Sequence, residues 1–558
     1  MNYKCYLRNS LDTIFVDSDI TGDNLLYTKM LKNEAFSFQL AVKPEKSDAD
    51  VGCDTVEMSI EINSPIAEFV SVYTVENVPA VRVGYGLSDD WFIRRTPGIY
   101  PDRMKRYNGK KITVPVGYWR CLRINVNETL ENISSGIYDV SIILYEKNKN
   151  DKIAVSKNDF RIEVLDAALP KQRIKFTNWL HYDCIAYFSN TKPLSAGFFE
   201  TTKKYIKLAA KNGQNMIYTP CFTPPLDTPE NEERMTIQLV GVKTVGSKYE
   251  FDFDNLKKFI DICLDCGIEY LEHSHMYTQW GAKHAPKIVA NVDGVDKVLF
   301  GWKTDAMSDE YKTFVSSYLA ALKSFMKQNN CEERFFFHVS DEPEKEHLES
   351  YAAAAEYFAA QLGDYPCGDA LSEYKFYQEG LVRTPVAALE NADDFVGKVK
   401  PLWLYYTGLQ SHDNLSNRLI GMPEERNRIL GIQLYYYDID GFLNWGFNAH
   451  HNRLSRDMID PAVSCDMGGD FVAGTSYLVY PDKNEVDASV RLMTFRDQVQ
   501  DTRALCLLES MIGKESVCKL IDSYIPNMSF NCRVSANQLL DLRENVNILI
   551  SRNIKKHN

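Results

Sequence analysis

The 558-residue chain is short of most of the signals that announce a protein's class. It has no basic run beyond Lys555-Lys556-His557 at its very end, and its formal net charge is −13, which argues against a nucleic-acid or anionic-membrane partner. The opening residues, Met1-Asn-Tyr-Lys-Cys-Tyr-Leu-Arg8, carry no apolar core of signal-peptide length. No stretch is long and apolar enough to span a bilayer, so a cytoplasmic protein with no membrane insertion is expected. Neither a Gly-rich phosphate loop, nor a Gly-x-Ser-x-Gly elbow, nor a Cys/His nucleophile pairing stands out, and no cofactor is expected. The 13 cysteines are odd in number and lack framework spacing, which suits reduced, mostly buried thiols. Cys263-Leu-Asp-Cys266 lies in a helical pattern with no second pair to complete a zinc site. Internal repeats and low-complexity tracts are also missing.

What is present is ordinary in its hydrophobic share (45%) and rich in aromatics (12%, with 32 Tyr), a supply that serves cores and sugar-binding clefts alike. The length calls for two or more domains. Residues 1–168 alternate short apolar runs with turn signals, among them Phe36-Ser-Phe-Gln-Leu-Ala-Val42 and Arg120-Cys-Leu-Arg-Ile-Asn-Val126. Period-two patterning at this spacing predicts an N-terminal antiparallel β-sandwich, expected to support the rest of the chain and not to carry the chemistry. Leu165-Asp-Ala-Ala-Leu-Pro170 is the expected linker.

From Gln172 the rhythm becomes strand, helix, strand, helix, which implies parallel strands with crossover helices. Eight strand candidates (174–182, 215–219, 268–273, 335–339, 367–371, 386–389, 401–406 and 441–447) predict an α/β fold, a (β/α)8 TIM-like barrel over 169–558. Helices are expected over 198–212, 255–266 and 311–328, with a helical extension beyond Arg491. The segment 226–253, with Thr236-Ile-Gln-Leu-Val and Tyr249-Glu-Phe-Asp-Phe around Gly246, reads as a β-hairpin inserted over the site.

The barrel's chemistry points to Arg334-Phe-Phe-Phe-His-Val-Ser-Asp-Glu-Pro343. An apolar run ends in two adjacent carboxylates, Asp341 and Glu342, and an alanine-rich helix is expected from Glu344 to Leu362. The pair should then sit where strand becomes helix, at the strand ends on which barrel enzymes build their sites. Helix capping explains one carboxylate and not two. His273-Ser-His275 at the third strand end could hold a metal, but the further imidazoles, His181 and His338, come with no evident bridging carboxylate, so no metal is expected and substrate hydrogen bonding is preferred. Trp179, His181, Tyr218, Trp403, Tyr405, Tyr406, Asn444, Trp445 and Asn448 gather at other strand ends, which favours a ring-stacking pocket.

Taken together, His338-Val-Ser-Asp-Glu-Pro343, Gly441-Phe-Leu-Asn-Trp-Gly-Phe-Asn448, Tyr477-Leu-Val-Tyr-Pro481 and Ser489-Val-Arg-Leu-Met-Thr-Phe-Arg-Asp-Gln-Val-Gln-Asp501 resemble glycoside hydrolase family 123, the β-N-acetylgalactosaminidases, over nearly the whole chain. The segment between Asp470 and Tyr477 is longer than the family's spacing. The resemblance implies substrate-assisted, retaining hydrolysis of a terminal β-linked GalNAc through an oxazoline-type intermediate, on an oligosaccharide or glycolipid glycan. It implies Glu342 as general acid/base and Asp341 as the group that orients the acetamide, while His181, Tyr218, His275, Tyr405, Trp445 and Asn448 are the expected substrate-binding residues. An ionised Asp341 would raise the pKa of Glu342 and keep it protonated. Two alternatives stay open: a double displacement with Glu390 as enzyme nucleophile, and a non-catalytic glycan-binding protein.

Overall fold

The computed structural model describes residues 1–46, 52, 54–148 and 151–557. It is a mixed α/β molecule. In its N-terminal part, two five-stranded sheets face each other: Asn2–Arg8, Phe36–Glu45, Arg120–Val126, Val70–Ala80 and Gly98–Arg106 in one, and Tyr27–Leu31, Asp151–Leu165, Gly136–Asn148, Thr55–Asn63 and Ile112–Pro115 in the other. All pairings are antiparallel except that of Tyr27–Leu31 with Asp151–Leu165. Alternate side chains of both sheets, among them Phe38, Leu40, Leu122 and Ile124 against Ile142, Leu144, Phe160 and Ile162, form one shared apolar core.

The parallel strands are β1 (Lys175–Asn178), β2 (Met216–Thr219), β3 (Tyr270–His273), β4 (Phe335–Phe336), β5 (Gly368–Leu371), β6 (Thr384–Ala388), β7 (Trp403–Tyr405) and β8 (Gly441–Asn444). The expected eight-stranded ladder is not continuous. β1, β8, β7, β6 and β5 form one sheet, and β2, β3 and β4 another. A single parallel bridge, Phe337 to Cys367, links β4 to β5. On the other side, Asn215 spans the gap with its side chain, accepting from Phe176 N (2.8 Å) and donating to Ile174 O (3.3 Å). Met216, Tyr218, Phe336, Ala370, Val386, Trp403 and Leu443, from both sheets, nonetheless meet in one cluster. Gly441 is needed there, because a Cβ would fall 2.4 Å from the Trp403 ring.

Helices Ala196–Lys211, Asp254–Asp265 and Asp309–Gln328 lie where their apolar periodicity places them, and Ser195 and Ser308 cap the first and last by accepting from Phe198 N and Tyr311 N. The hairpin runs Gly241–Val245 and Lys248–Asp252 with Gly246 at its turn (φ 62°), so Thr236–Val240 is not its first strand. It does not overhang the cavity described below: Tyr249 and Phe251 pack on Phe314 of helix Asp309–Gln328.

The C-terminal helices Val490–Ile512, Lys514–Tyr524 and Ala536–His557 are more than an extension. Val490–Ile512 is buried along most of its length although it carries Arg491, Asp497 and Asp501, because these charges are paired. Arg491 contacts Asp102 at 2.9 Å, Arg543 contacts Glu34 at 2.7 Å, and Arg426 contacts Asp89 at 2.7 Å, each ion pair joining the N-terminal sheets to the rest of the chain. Among the described residues no helix is long and apolar enough to cross a membrane.

Candidate active site

The carboxylate pair sits between strand and helix, but the passage from one to the other is a loop and not an abrupt junction. β4 ends at Phe336, a short 3-10 turn begins at Lys345 and the helix only at Leu348, so Asp341 and Glu342 lie in a connecting loop. The turn is capped by Glu344 and His347, which leaves neither Asp341 nor Glu342 a capping role. Glu342 holds a left-handed backbone (φ 44°), a conformation that costs a non-glycine residue about 1 kcal/mol or more and persists where surroundings enforce it. They do: Glu342 N donates to Ala370 O at 3.1 Å, and Trp280 N donates to Asp341 O at 3.0 Å.

Both carboxylates line a cavity of about 380 Å³. Trp179, Ala370, Tyr405, Leu443 and Trp445, at or just past strand ends, form its inner wall with His181. Leu226, Asp227, Gln279, Trp280, Thr407, Phe471 and Thr475 close it from the loops. Asp470 and Phe471, from the segment that leads to Tyr477, line it as well. Two further lining residues, Arg82 and Tyr85, lie on a loop between strands Val70–Ala80 and Gly98–Arg106, so the N-terminal part reaches the cavity.

Burial, then the charge of Glu342, pushes the Asp341 carboxyl far above the usual carboxylate range, against the pull of His338. Burial also raises Glu342, opposed by the Tyr405 hydroxyl, which donates to Glu342 Oε1 at 2.8 Å. The pair is thus held toward its protonated side, Asp341 the more strongly, and its protons belong to the pair as a unit.

A second charged layer lies under the floor. His338 Nε2 is 2.7 Å from Glu272 Oε1 and its Nδ1 is 3.2 Å from Asp369 Oδ1. Burial alone would hold this imidazole down, but the two carboxylates raise it to about 10, so it is an imidazolium. Glu272 also accepts from Trp179 Nε1 (2.7 Å) and Thr177 Oγ1 (2.6 Å), and Asp369 from Tyr351 and the Val339 and Ser340 amides. Their sequence signal was a lone acid inside a four-residue apolar strand, Glu272 in β3 and Asp369 in β5. His275, His338 and Asp369 lie close enough to hold an ion. Both nitrogens of His338 face carboxylates and Nδ1 of His275 meets the Tyr218 hydroxyl (2.9 Å), while Nε2 of His275 is buried with no hydrogen-bond partner among the described residues.

Of the residues expected to bind substrate, His181, Tyr405 and Trp445 face the cavity. Tyr218, His275 and Asn448 are buried behind it. Asn448 clamps the His181 backbone, accepting from its N at 2.9 Å and donating to its O at 3.0 Å. Both ring nitrogens of His181 are occupied, Nε2 by the Trp445 carbonyl (2.8 Å) and Nδ1 by Arg234 (3.1 Å). Burial and the Arg234 charge keep it neutral, at about 3. Arg234 in turn forms a buried ion pair with Asp183 at 2.7 Å. Glu390 lies outside the cavity, bonded to His412 (3.0 Å) and Gln410 (3.2 Å).

The family model described as "Glycoside hydrolase 123, catalytic domain" matches residues 179–508. Over its whole length the chain resembles a family 123 glycoside hydrolase from Clostridium perfringens, solved for the details of glycolipid glycan hydrolysis; identity is 13%, coverage 100% of this chain and 98% of that one, and the TM-score 0.71. A β-D-glucuronidase from Dictyoglomus thermophilum matches at 9% identity, covering 85% of this chain and 69% of that one, with a TM-score of 0.31 that carries no argument. No curated protein matches.

Proposed function

The chain belongs to glycoside hydrolase family 123, and from that premise we propose that it is an exo-acting β-N-acetylgalactosaminidase that removes terminal β-linked GalNAc from an oligosaccharide or glycolipid glycan by substrate-assisted, retaining catalysis, without a cofactor. In this reading β1 to β8 act as one interrupted (β/α)8 barrel within a catalytic domain of residues 169–558, braced by a β-sandwich domain of residues 1–168.

The observation that carries the reading is that Asp341 and Glu342 enter the cavity as neighbours from one loop. A double displacement needs two carboxyl groups about 5 Å apart flanking the sugar. Glu390 is outside the cavity, while Asp227 and Asp470 accept the backbone N–H groups of Leu454 (3.0 Å) and Arg453 (3.2 Å). The sugar's own acetamide oxygen then serves as nucleophile. Glu342, held by Tyr405, gives its proton to the glycosidic oxygen as the acetamide oxygen attacks C1 and the bond from C1 to the leaving oxygen breaks, and takes a proton back from the water that opens the oxazoline. Two inversions leave the β configuration.

Asp341 orients the acetamide by accepting its N–H. An N–H donor favours the ionised form of its acceptor. Substrate arrival therefore drives the pair's proton from Asp341 toward Glu342, loading the acid only when a sugar is in place. Trp445 and Trp179 offer ring faces to the sugar, while Tyr218 and His275 pack on Trp179 and Asn448 fixes His181.

A panel of nitrophenyl β-glycosides tests this. The N-acetylgalactosaminide should be cleaved and the plain galactoside should not. Binding without cleavage of any N-acetylhexosaminide would favour the glycan-binding alternative.

A further inference from the structure

The mouth of the cavity is built by two distant segments. One is the loop 81–97 between strands Val70–Ala80 and Gly98–Arg106 of the N-terminal sheets. It is tied down at many points: Val81 N and Arg82 N donate to Asp466 Oδ2 at 2.9 and 2.7 Å, Ala473 N donates to Arg82 O at 2.8 Å, Ser88 Oγ meets Ser411 Oγ at 2.7 Å, and Asp89 takes both terminal nitrogens of Arg426 at 2.7 and 2.8 Å. The other is the turn at Arg453, whose Leu454 and Ser455 hold left-handed backbones (φ 65° and 52°) enforced by Asp227 and Asp470.

Each segment presents one arginine to the cavity, Arg82 and Arg453. Both are exposed, and among the described residues neither guanidinium has a hydrogen bond or ion pair, whereas Arg94, Arg103, Arg426 and Arg456 nearby are all paired. Both charges act on the phenol of Tyr85, so the two groups converge on one region. The acids in the cavity wall there, Asp227 and Asp470, accept backbone N–H groups that fix the turn; the Arg453 charge also acts on Asp227, but among the described residues neither acid forms an ion pair with Arg82 or Arg453. In a chain of net charge −13, two exposed arginines without an ion-pair partner at one cavity make a local positive spot that suits an anionic group.

We propose that Arg82 and Arg453 form a leaving-group subsite that selects glycans whose penultimate sugar carries an oxyanion, either a carboxylate or a sulfate. This rests on the exo-glycosidase reading: the terminal sugar takes the inner wall beside Asp341 and Glu342, and the aglycone must leave through the mouth. Tyr85 and the exposed Trp280 and Leu409 supply the apolar flanks against which the penultimate ring lies. Arginine suits both oxyanions because its planar fork matches either geometry bidentately.

The test compares three oligosaccharides ending in β-GalNAc that differ only at the penultimate sugar: neutral, sialylated, and sulfated. For each, kcat/KM and calorimetric Kd are measured on the full chain. The wild type should favour at least one acidic substrate over the neutral one by about tenfold, carried by KM, with the preference shrinking as salt rises. Arg82→Gln and Arg453→Gln should each pull the acidic-to-neutral ratio toward one, a ratio that cancels any general loss of folded enzyme. The preferred acid identifies the source of the oxyanion. Equal handling of neutral and acidic substrates by the wild type, or an unchanged ratio in the double variant, would overturn the subsite. Failure to cleave any GalNAc substrate would sink the proposed activity instead, and the calorimetric ratio would still decide the subsite.

Discussion

His338 Nε2 lies 2.7 Å from Oε1 of Glu272, so the floor of the cavity rests on a buried imidazolium and not on a neutral ring. The pairing ties β3 to the loop that follows β4, and through the second nitrogen and Asp369 it reaches β5, across the joint where the strand ladder is reduced to one bridge. The charge also faces Asp341, whose carboxyl it pulls down against burial.

Glu272→Gln should therefore destabilise the fold by about 3 kcal/mol, as the loss of one partner of a buried ion pair does. The loss should depend on pH with a definite sign. A histidine raised from 6.5 to about 10 contributes stability that is fully present below about pH 6.5 and is lost as pH rises toward 10. The wild type's advantage over the variant, read from urea midpoints, should be greatest below about pH 6.5 and fade toward about pH 10. A gap that widened with pH would mean His338 is neutral in the native state.

Glu342→Gln and Asp341→Asn should both cost several orders of magnitude in rate, but distribute the loss differently. A general acid matters least when the leaving group is already good, so Glu342→Gln should keep more activity on a nitrophenyl glycoside than on a natural linkage. Asp341→Asn should be equally poor on both, since it strikes the acetamide and not the leaving oxygen. The reverse pattern would exchange the two roles.

The ion pair of Arg491 with Asp102 is buried on both sides, with the Tyr480 hydroxyl donating to the same carboxylate. Asp102→Asn should cost about 3–5 kcal/mol and loosen the N-terminal sheets, as seen by faster proteolysis within residues 1–168. Replacing Arg491 by Met in the same chain should recover part of the loss, because the uncompensated charge is gone. If the single variant were as stable as wild type, the interface would depend on its apolar contacts alone.

These pairs also mark what local pattern could reveal. Phe335-Phe336-Phe337 is legible as buried strand because every side chain in it is apolar, and runs such as Phe36–Val42 are legible as sheet because Phe36, Phe38, Leu40 and Val42 recur at every second position. Helix Val490–Ile512 hides its burial because Arg491 and Asp501 are neutralised by Asp102 and Arg428, far away in sequence, and Asp497 by its neighbour Arg496, which erases any apolar stripe. For the same reason Asp341 and Glu342 could be picked from a single run, whereas Arg82 and Tyr85 could not: nothing near residue 82 says that a loop of the N-terminal sheets ends in a cavity formed around residue 341.

The acetamide separates substrate assistance from other glycosidase mechanisms. If it is the nucleophile, a β-galactoside without it has no route to the intermediate, and Asp341 cannot replace it by attacking carbon. The first-formed product must be the β anomer. A thiazoline that mimics the bicyclic intermediate keeps the N–H-side contact to Asp341 and cannot be opened by Glu342, so it should bind far more tightly than substrate, as analogues of the reaction's high-energy species do. Its affinity should collapse in Asp341→Asn and survive better in Glu342→Gln, because only the first loses the group that meets the ring nitrogen. Proton NMR on a fresh digest reads the anomer, and inhibition by the thiazoline reads the affinity. An α product, or turnover of the plain galactoside comparable with that of the N-acetyl sugar, would remove the acetamide from the mechanism and require an enzyme carboxylate in its place.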